Sequence, residues 1–211
     1  MKSKRIDWVR FISEESRVSP ILQLDKLAAR FKTSEPVVRK ALLRLSKRGL
    51  VEHFARKIFL NLLAKDFSGR EIVGLLRPQS YVSLETVLRD SGIITQTPAI
   101  ITCVTTGAQR AFRSNTLAIA FRHIAHELYW GFQPRRTLYG EYNAALPEKA
   151  LLDWIYLQRK QGVRVEMDEF NFANLDAKKL LSFAEKYPRP VKYELLEALV
   201  NAGTAFEASK A

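Results

Sequence analysis

The stretch TSEPVVRKALLRLSKRGL, residues 33–50, carries the boundaries of a helix within itself. Thr33 or Ser34 can cap its start with a side-chain oxygen, Pro36 falls in the first turn where a missing N–H is harmless, and Gly49 stands where a helix is normally stopped. At about 100° per residue from Val38, Leu42 and Leu45 fall within roughly 40° of it and Ala41 lies on the same flank, an apolar stripe of helical period. Pro36, Lys40, Leu43 and Lys47 fall on the opposite side, with Arg39 and Arg44 along its margins. The stripe implies a core beneath the helix. The cationic face implies either plain solvation or an anionic partner, and the flanking sequence decides between them.

Upstream, Leu22-Gln23-Leu24 reads as a short strand and Asp25 as the cap of a helix over 26–31, in which Leu27, Ala28 and Phe31 are spaced to pack on the next helix. Only residues 32–34 separate the two. Ile6, Val9 and Ile12 recur at helical spacing and predict a first helix over 5–15. Downstream, residues 50–54 and 58–60 flank Ala55-Arg56-Lys57, which predicts a two-stranded wing with Arg56 and Lys57 at its tip. Helix, strand, helix, helix, wing is the order of a winged helix-turn-helix, whose second paired helix enters the major groove. On that reading Ser34, Arg39, Lys40 and Arg44 reach base edges of double-stranded DNA, Lys47 lies on the same face, and Arg56 and Lys57 meet the phosphate backbone.

Charge supports this division of the chain. The net formal charge is +12, and residues 1–60 hold 15 Lys and Arg against 6 Asp and Glu, while the other 151 residues hold 19 against 16. A basic N-terminal module followed by a nearly neutral one fits nucleic-acid binding better than a membrane-surface protein with charge spread throughout. The expected fold class is α+β: a winged helix-turn-helix over 1–60, a linker with a short helix near 70–76 over 61–78, and a mixed α/β domain over 79–211. In the latter, Ser83 is expected to cap a short helix ended by Gly92. Residues 99–106 form a buried strand, and 110–113 and 117–124 a hairpin about Ser114-Asn115-Thr116. Pro147 starts a helix over 148–160, Asp176 caps one reaching about 187, and a last helix covers 191–201, with a frayed tail after Gly203.

Several chemistries are not supported. Cys103 is the only cysteine, so an intrachain disulfide and thiolate zinc or CxxC sites are excluded. His123, His126 and Glu127 lack further ligands at usable spacing, so no metal is expected. His53 reads as a surface or phosphate-contacting group. Glu148, Lys149 and Asp153 might be taken for a nuclease set. Glu148 instead suits a first helical turn, and Lys149 with Asp153 reads as an ordinary i, i+4 pair. No phosphate-cradling loop, dinucleotide fingerprint or nucleophile elbow is present, so no catalytic residue or cofactor is assigned. Trp8, Trp130 and Trp154 read as packing residues, and Arg135 and Arg136 as a local basic spot. No stretch approaches the roughly 20 apolar residues of a membrane span, which predicts a cytoplasmic protein.

Two motifs carry a resemblance. Tyr81-Val82-Ser83-Leu84-Glu85 followed by Gly92-Ile93-Ile94, and Ala144-Ala145-Leu146-Pro147-Glu148-Lys149-Ala150-Leu151-Leu152-Asp153, resemble the AbiEi family of type IV toxin-antitoxin systems. Val104-Thr105-Thr106 and Phe121-Arg122-His123-Ile124 fit the same pattern. The resemblance covers about residues 81–157; where the family pattern has Pro-Leu-Gly this chain reads Ser114-Asn115-Thr116, and the last fifty residues lie outside it. It implies an antitoxin that also represses its own operon, its winged domain binding inverted repeats in the promoter, where two copies can cooperate. It further implies that the second domain counters a nucleotidyltransferase-like toxin without requiring a stable complex. The alternative is an unrelated winged-helix regulator whose C-terminal domain senses a small ligand. A flanking nucleotidyltransferase gene separates the two.

Overall fold

The computed structural model describes residues 6–15, 19–65, 67–163 and 166–208, the side chains of 204–208 excepted. The chain is a mixed α+β protein with eight α-helices and two sheets among these residues. It divides into two compact units. The first comprises residues 1–72 with the segments 112–118 and 137–140; the second comprises 73–111, 119–136 and 141–211.

The first unit runs α1 (Trp8–Glu15), β1 (Ile21–Gln23), α2 (Leu24–Arg30), α3 (Glu35–Ser46), β2 (Val51–Ala55) and β3 (Ile58–Asn61). Residue 5, where the first helix was expected to begin, lies outside the described residues. The strands form an antiparallel sheet in the order β1-β3-β2, with Leu22 opposite Phe59 and Val51 opposite Asn61. Phe11, Ile12, Leu22, Leu27, Val38, Leu42, Leu45 and Phe59 make one core from all three helices and the sheet. The stripe read from Val38, Leu42 and Leu45 is therefore the buried face of α3. Asn61 closes the core's polar edge by donating from Nδ2 to the Ile12 carbonyl at 2.9 Å.

Helix ends in this unit follow local chemistry, with two corrections. α2 begins at Leu24 rather than after an Asp25 cap; its N-cap is Gln23, Asp25 lies in the first turn, and the Leu24 amide is satisfied by the Lys57 carbonyl at 3.0 Å. Ser34 is the N-cap of α3, but its hydroxyl makes no capping hydrogen bond. The C-terminus of α3 agrees with expectation: Gly49 has φ +69° and the Leu50 amide returns to the Leu45 carbonyl at 3.1 Å, the six-to-one bond of a Schellman turn.

From residue 73 the elements are α4 (Val73–Leu76), β4 (Ser80–Val82), α5 (Glu85–Asp90), β5 (Ile101–Thr105), β6 (Arg110–Arg113), β7 (Ala118–His123), β8 (Phe132–Thr137), β9 (Gly140–Ala145), α6 (Pro147–Lys160), α7 (Ala177–Ala184) and α8 (Arg189–Ala208). The second sheet has the order β6-β7-β5-β4-β9-β8, with β4 antiparallel to β5, and β5–β7 and β4–β9 parallel. The expected strand, hairpin strands and Pro147 helix are present. β4, β8 and β9 went unread, and α8 extends beyond the expected 191–201. Asp176 caps α7 by accepting from the Lys179 amide at 3.0 Å. Ser83 does not cap α5. Its place is taken by Leu84, a buried residue at φ +58°, and the Ser83 hydroxyl is drawn elsewhere.

Candidate nucleic-acid interface

All seven residues expected to contact DNA are solvent-exposed, in the first unit. Ser34, Arg39, Lys40, Arg44 and Lys47 lie on α3 or its caps; Arg56 and Lys57 form the turn between β2 and β3. Two contacts join the turn to the first half of α3. Arg39 donates from Nη1 to the Arg56 carbonyl at 3.3 Å, and Lys57 Nζ pairs with Glu35 Oε1 at 2.8 Å. Lys40, Arg44 and Lys47 point outward opposite the fully buried Val38 and Leu42. Sequence reasoning omitted Glu35, whose carboxylate holds Lys57, and Arg48, a further exposed cation at the end of the helix. A solvated salt bridge of this kind contributes little to stability.

The β2 strand is fixed by a second device in the same unit. Glu52 accepts from the Ser114 hydroxyl at 2.9 Å, the Asn115 amide at 2.8 Å and the Thr116 amide at 3.3 Å, and also from the Thr116 hydroxyl. Burial pushes this carboxyl up, but the hydrogen bonds from Thr116, Asn115 and Ser114 outweigh it and hold its pKa below the ordinary carboxylate value. Nothing in the sequence separates Glu52 from an ordinary exposed strand residue. Its four donors lie more than sixty positions away.

In the second unit the Lys149–Asp153 pair is not an ordinary surface pair: both side chains are 0% exposed. Lys149 Nζ donates to Asp153 Oδ1, to the Tyr81 hydroxyl at 3.0 Å and to the Tyr187 hydroxyl at 2.6 Å. Tyr187 donates to Asp153 Oδ1 at 2.7 Å, while Tyr81 and Ser83 donate to Oδ2 at 3.0 and 2.9 Å. The ammonium thereby uses all three protons and the carboxylate receives four donors. Gly131, at φ +74°, passes so close that a Cβ there would stand 3.0 Å from the Lys149 stem. Burial lowers the Lys149 pKa against the opposing pull of Asp153. Burial, then the Asp153 charge, raises those of Tyr81 and Tyr187.

This arrangement bears on the acid–base reading of Glu148, Lys149 and Asp153. Lys149 and Asp153 spend their hydrogen-bonding capacity on each other and their neighbours, and neither side chain is exposed. Glu148, also buried, accepts from the Asp176 amide at 3.1 Å and stands 3.6 Å from Lys179 Nζ. These contacts tie α6 to α7 and β4. Trp130 packs on the Phe183 ring and Trp154 on Phe170, as packing residues do, and Trp154 also donates to Glu85 at 3.1 Å. Arg135 and Arg136 are exposed on β8. Among the described residues no group of three or more His, Cys, Asp or Glu could hold a metal ion, and no helix is long and apolar enough to cross a membrane. No family model matches this chain, and no curated protein matches it.

Proposed function

We propose that the chain is a DNA-binding transcriptional repressor and antitoxin of a type IV toxin-antitoxin system, with a winged helix-turn-helix as its first unit. The observation that carries the DNA-binding half is the outward face of α3. Lys40, Arg44 and Lys47 project from a helix whose other side is locked in the core, beside a β2–β3 turn bearing Arg56 and Lys57. A rigid cationic helix flanked by a basic turn suits a major groove and its neighbouring phosphates. The antitoxin half rests on the resemblance of residues 81–157 to the AbiEi family. In this reading the chain is not an enzyme, takes no cofactor, acts in the cytoplasm and binds inverted repeats in its own promoter, where two copies can cooperate.

The test has two arms. A reporter driven by the chain's own promoter should be silenced by the wild type and released by Lys40→Ala with Arg44→Ala. Co-expression with a neighbouring nucleotidyltransferase-like toxin, from a promoter the chain does not control, should restore growth. Loss of either effect removes that half of the proposal.

The second reading, a winged-helix regulator with a ligand-sensing domain, is favoured by a cavity of about 460 Å³ in the second unit, walled in part by Trp154, Phe170 and Glu85. Its volume lies in the range of small-molecule sites. A small ligand that changes promoter affinity, with no toxin gene alongside, selects this alternative.

A further inference from the structure

Val37 stands in the first turn of α3 with 52% of its surface exposed, beside the exposed cations Lys40 and Arg44, with Pro36 and Leu43 farther round the same outward face. It adds nothing to the core, which α3 enters through Val38, Leu42 and Leu45. A β-branched residue is also a poor choice for an exposed helical position, where it loses side-chain freedom without packing in return. By helical spacing Val37 shares a flank with Arg44, seven residues on, and borders Lys40, three residues on. Arg39, the arginine nearest the helix start, is turned to the Arg56 carbonyl at 3.3 Å. The start of the helix therefore presents the Ser34 hydroxyl, which makes no capping bond, the exposed Pro36 ring and the two methyl groups of Val37.

We infer that Val37 is a specificity residue that recognises the C5-methyl group of a thymine. This deepens the DNA-binding reading and rests on it. In the major groove a T·A pair differs from C·G in offering a methyl group, and an apolar side chain is what can read it. The N-terminal residues of a groove-bound helix are those that meet base edges. Lys40 and Arg44 supply attraction to phosphate and guanine; Val37 distinguishes a methylated pyrimidine from one that lacks the group.

The experiment uses the full chain and duplex DNA from immediately upstream of its coding sequence, with each thymine replaced in turn by deoxyuridine, which lacks only the methyl group. Binding is followed by fluorescence anisotropy. For the wild type, one thymine per half-site should be sensitive, its replacement weakening binding about fourfold, the contribution of one buried methyl. Val37→Ser should bind the unmodified duplex about fourfold more weakly and be indifferent to deoxyuridine at that position. Leu43→Ser, on the other margin of the helix, should keep the discrimination. Because position 37 is exposed, circular dichroism and the melting temperature should be unchanged. A sensitive thymine that stays sensitive in Val37→Ser, or wild-type binding indifferent to every replacement, overturns the inference while leaving the groove reading intact. Failure of the wild type to prefer this duplex over a scrambled one takes down both.

Discussion

Lys149 and Asp153 lie one helical turn apart on α6 as an ion pair of which neither side chain meets solvent, closed on all sides by Tyr81, Ser83 and Tyr187. Taking two charges out of water is costly, and the attraction between them repays it only when their other hydrogen bonds are made. Here they are made by residues from β4, the β4–α5 junction and the segment joining α7 to α8. The pair fixes where those elements sit against α6.

Removing one member should therefore do more harm than removing both. Lys149→Met leaves a buried, unpaired carboxylate and should cost about 3–5 kcal/mol, as should Asp153→Leu. The double variant should be destabilised by clearly less than the sum of the two. Urea unfolding of the three variants measures this, and additive losses would mean that the charges do not depend on each other.

Alkaline unfolding reports on the tyrosines. Tyr81 and Tyr187 are held above their ordinary value of 10.0, so above pH 10 the unfolded chain loses protons that the native state keeps, and stability falls as pH rises. Each such group contributes a slope of at most about 1.4 kcal/mol per pH unit. Lys149 acts in the opposite sense below its ordinary 10.5 and has no effect above it, so the fall is read above that point. Tyr187→Phe should flatten the slope by about one group's worth. An unchanged slope would place the alkaline transition elsewhere.

Glu52 governs the acid side of the first unit. Its folded pKa lies below the ordinary 4.5, so its contribution is present above that pH and is lost as pH falls through the lowered folded value. The protection of the Asn115 and Thr116 amides, which donate to this carboxylate, relative to their intrinsic exchange at each pH should fall over that acid range in the wild type. In Glu52→Gln, both amides should be less protected at neutral pH and lack the acid-dependent loss of protection. Equal protection in both proteins would show that the carboxylate does not hold the turn.

How far the sequence could be read depended on whether the deciding signal was local. The stripe of Val38, Leu42 and Leu45, the stop at Gly49 and the turn at Arg56-Lys57 involve residues within a few positions of one another, and each was legible. Ser83 was misread because a serine ahead of a short helix is ordinarily a cap, whereas its proton goes to Asp153, seventy residues on. Lys149 with Asp153 has the same spacing as any solvated i, i+4 pair. Only Tyr81 and Tyr187, 68 and 38 positions from Lys149, make it a buried one. β8 escaped notice because Gln133, Pro134, Arg135 and Arg136 lack apolar alternation; the strand lies at a sheet edge, where a proline and exposed charges are tolerated.

The turn charges should appear in the salt dependence of DNA binding. Each neutralised phosphate contributes a log-log slope of about 0.9, so Arg56→Ala with Lys57→Ala should flatten the dependence by nearly 2 while preserving sequence preference. Glu35→Gln, which frees Lys57 from its ion pair, should tighten binding to any duplex. A slope indifferent to both turn residues would remove the turn from the interface.

Equilibrium binding of the full chain to its own promoter duplex, with a scrambled duplex alongside, is the most direct measurement, made for the wild type and for Lys40→Ala with Arg44→Ala. Both substitutions lie on the exposed face of α3 and should alter stability by no more than about 0.5 kcal/mol each. The prediction is that the wild type prefers the promoter and the double variant, equally well folded, loses that preference together with most of its affinity. A double variant that still selects the promoter as the wild type does would contradict the assignment of α3 as the DNA-reading helix.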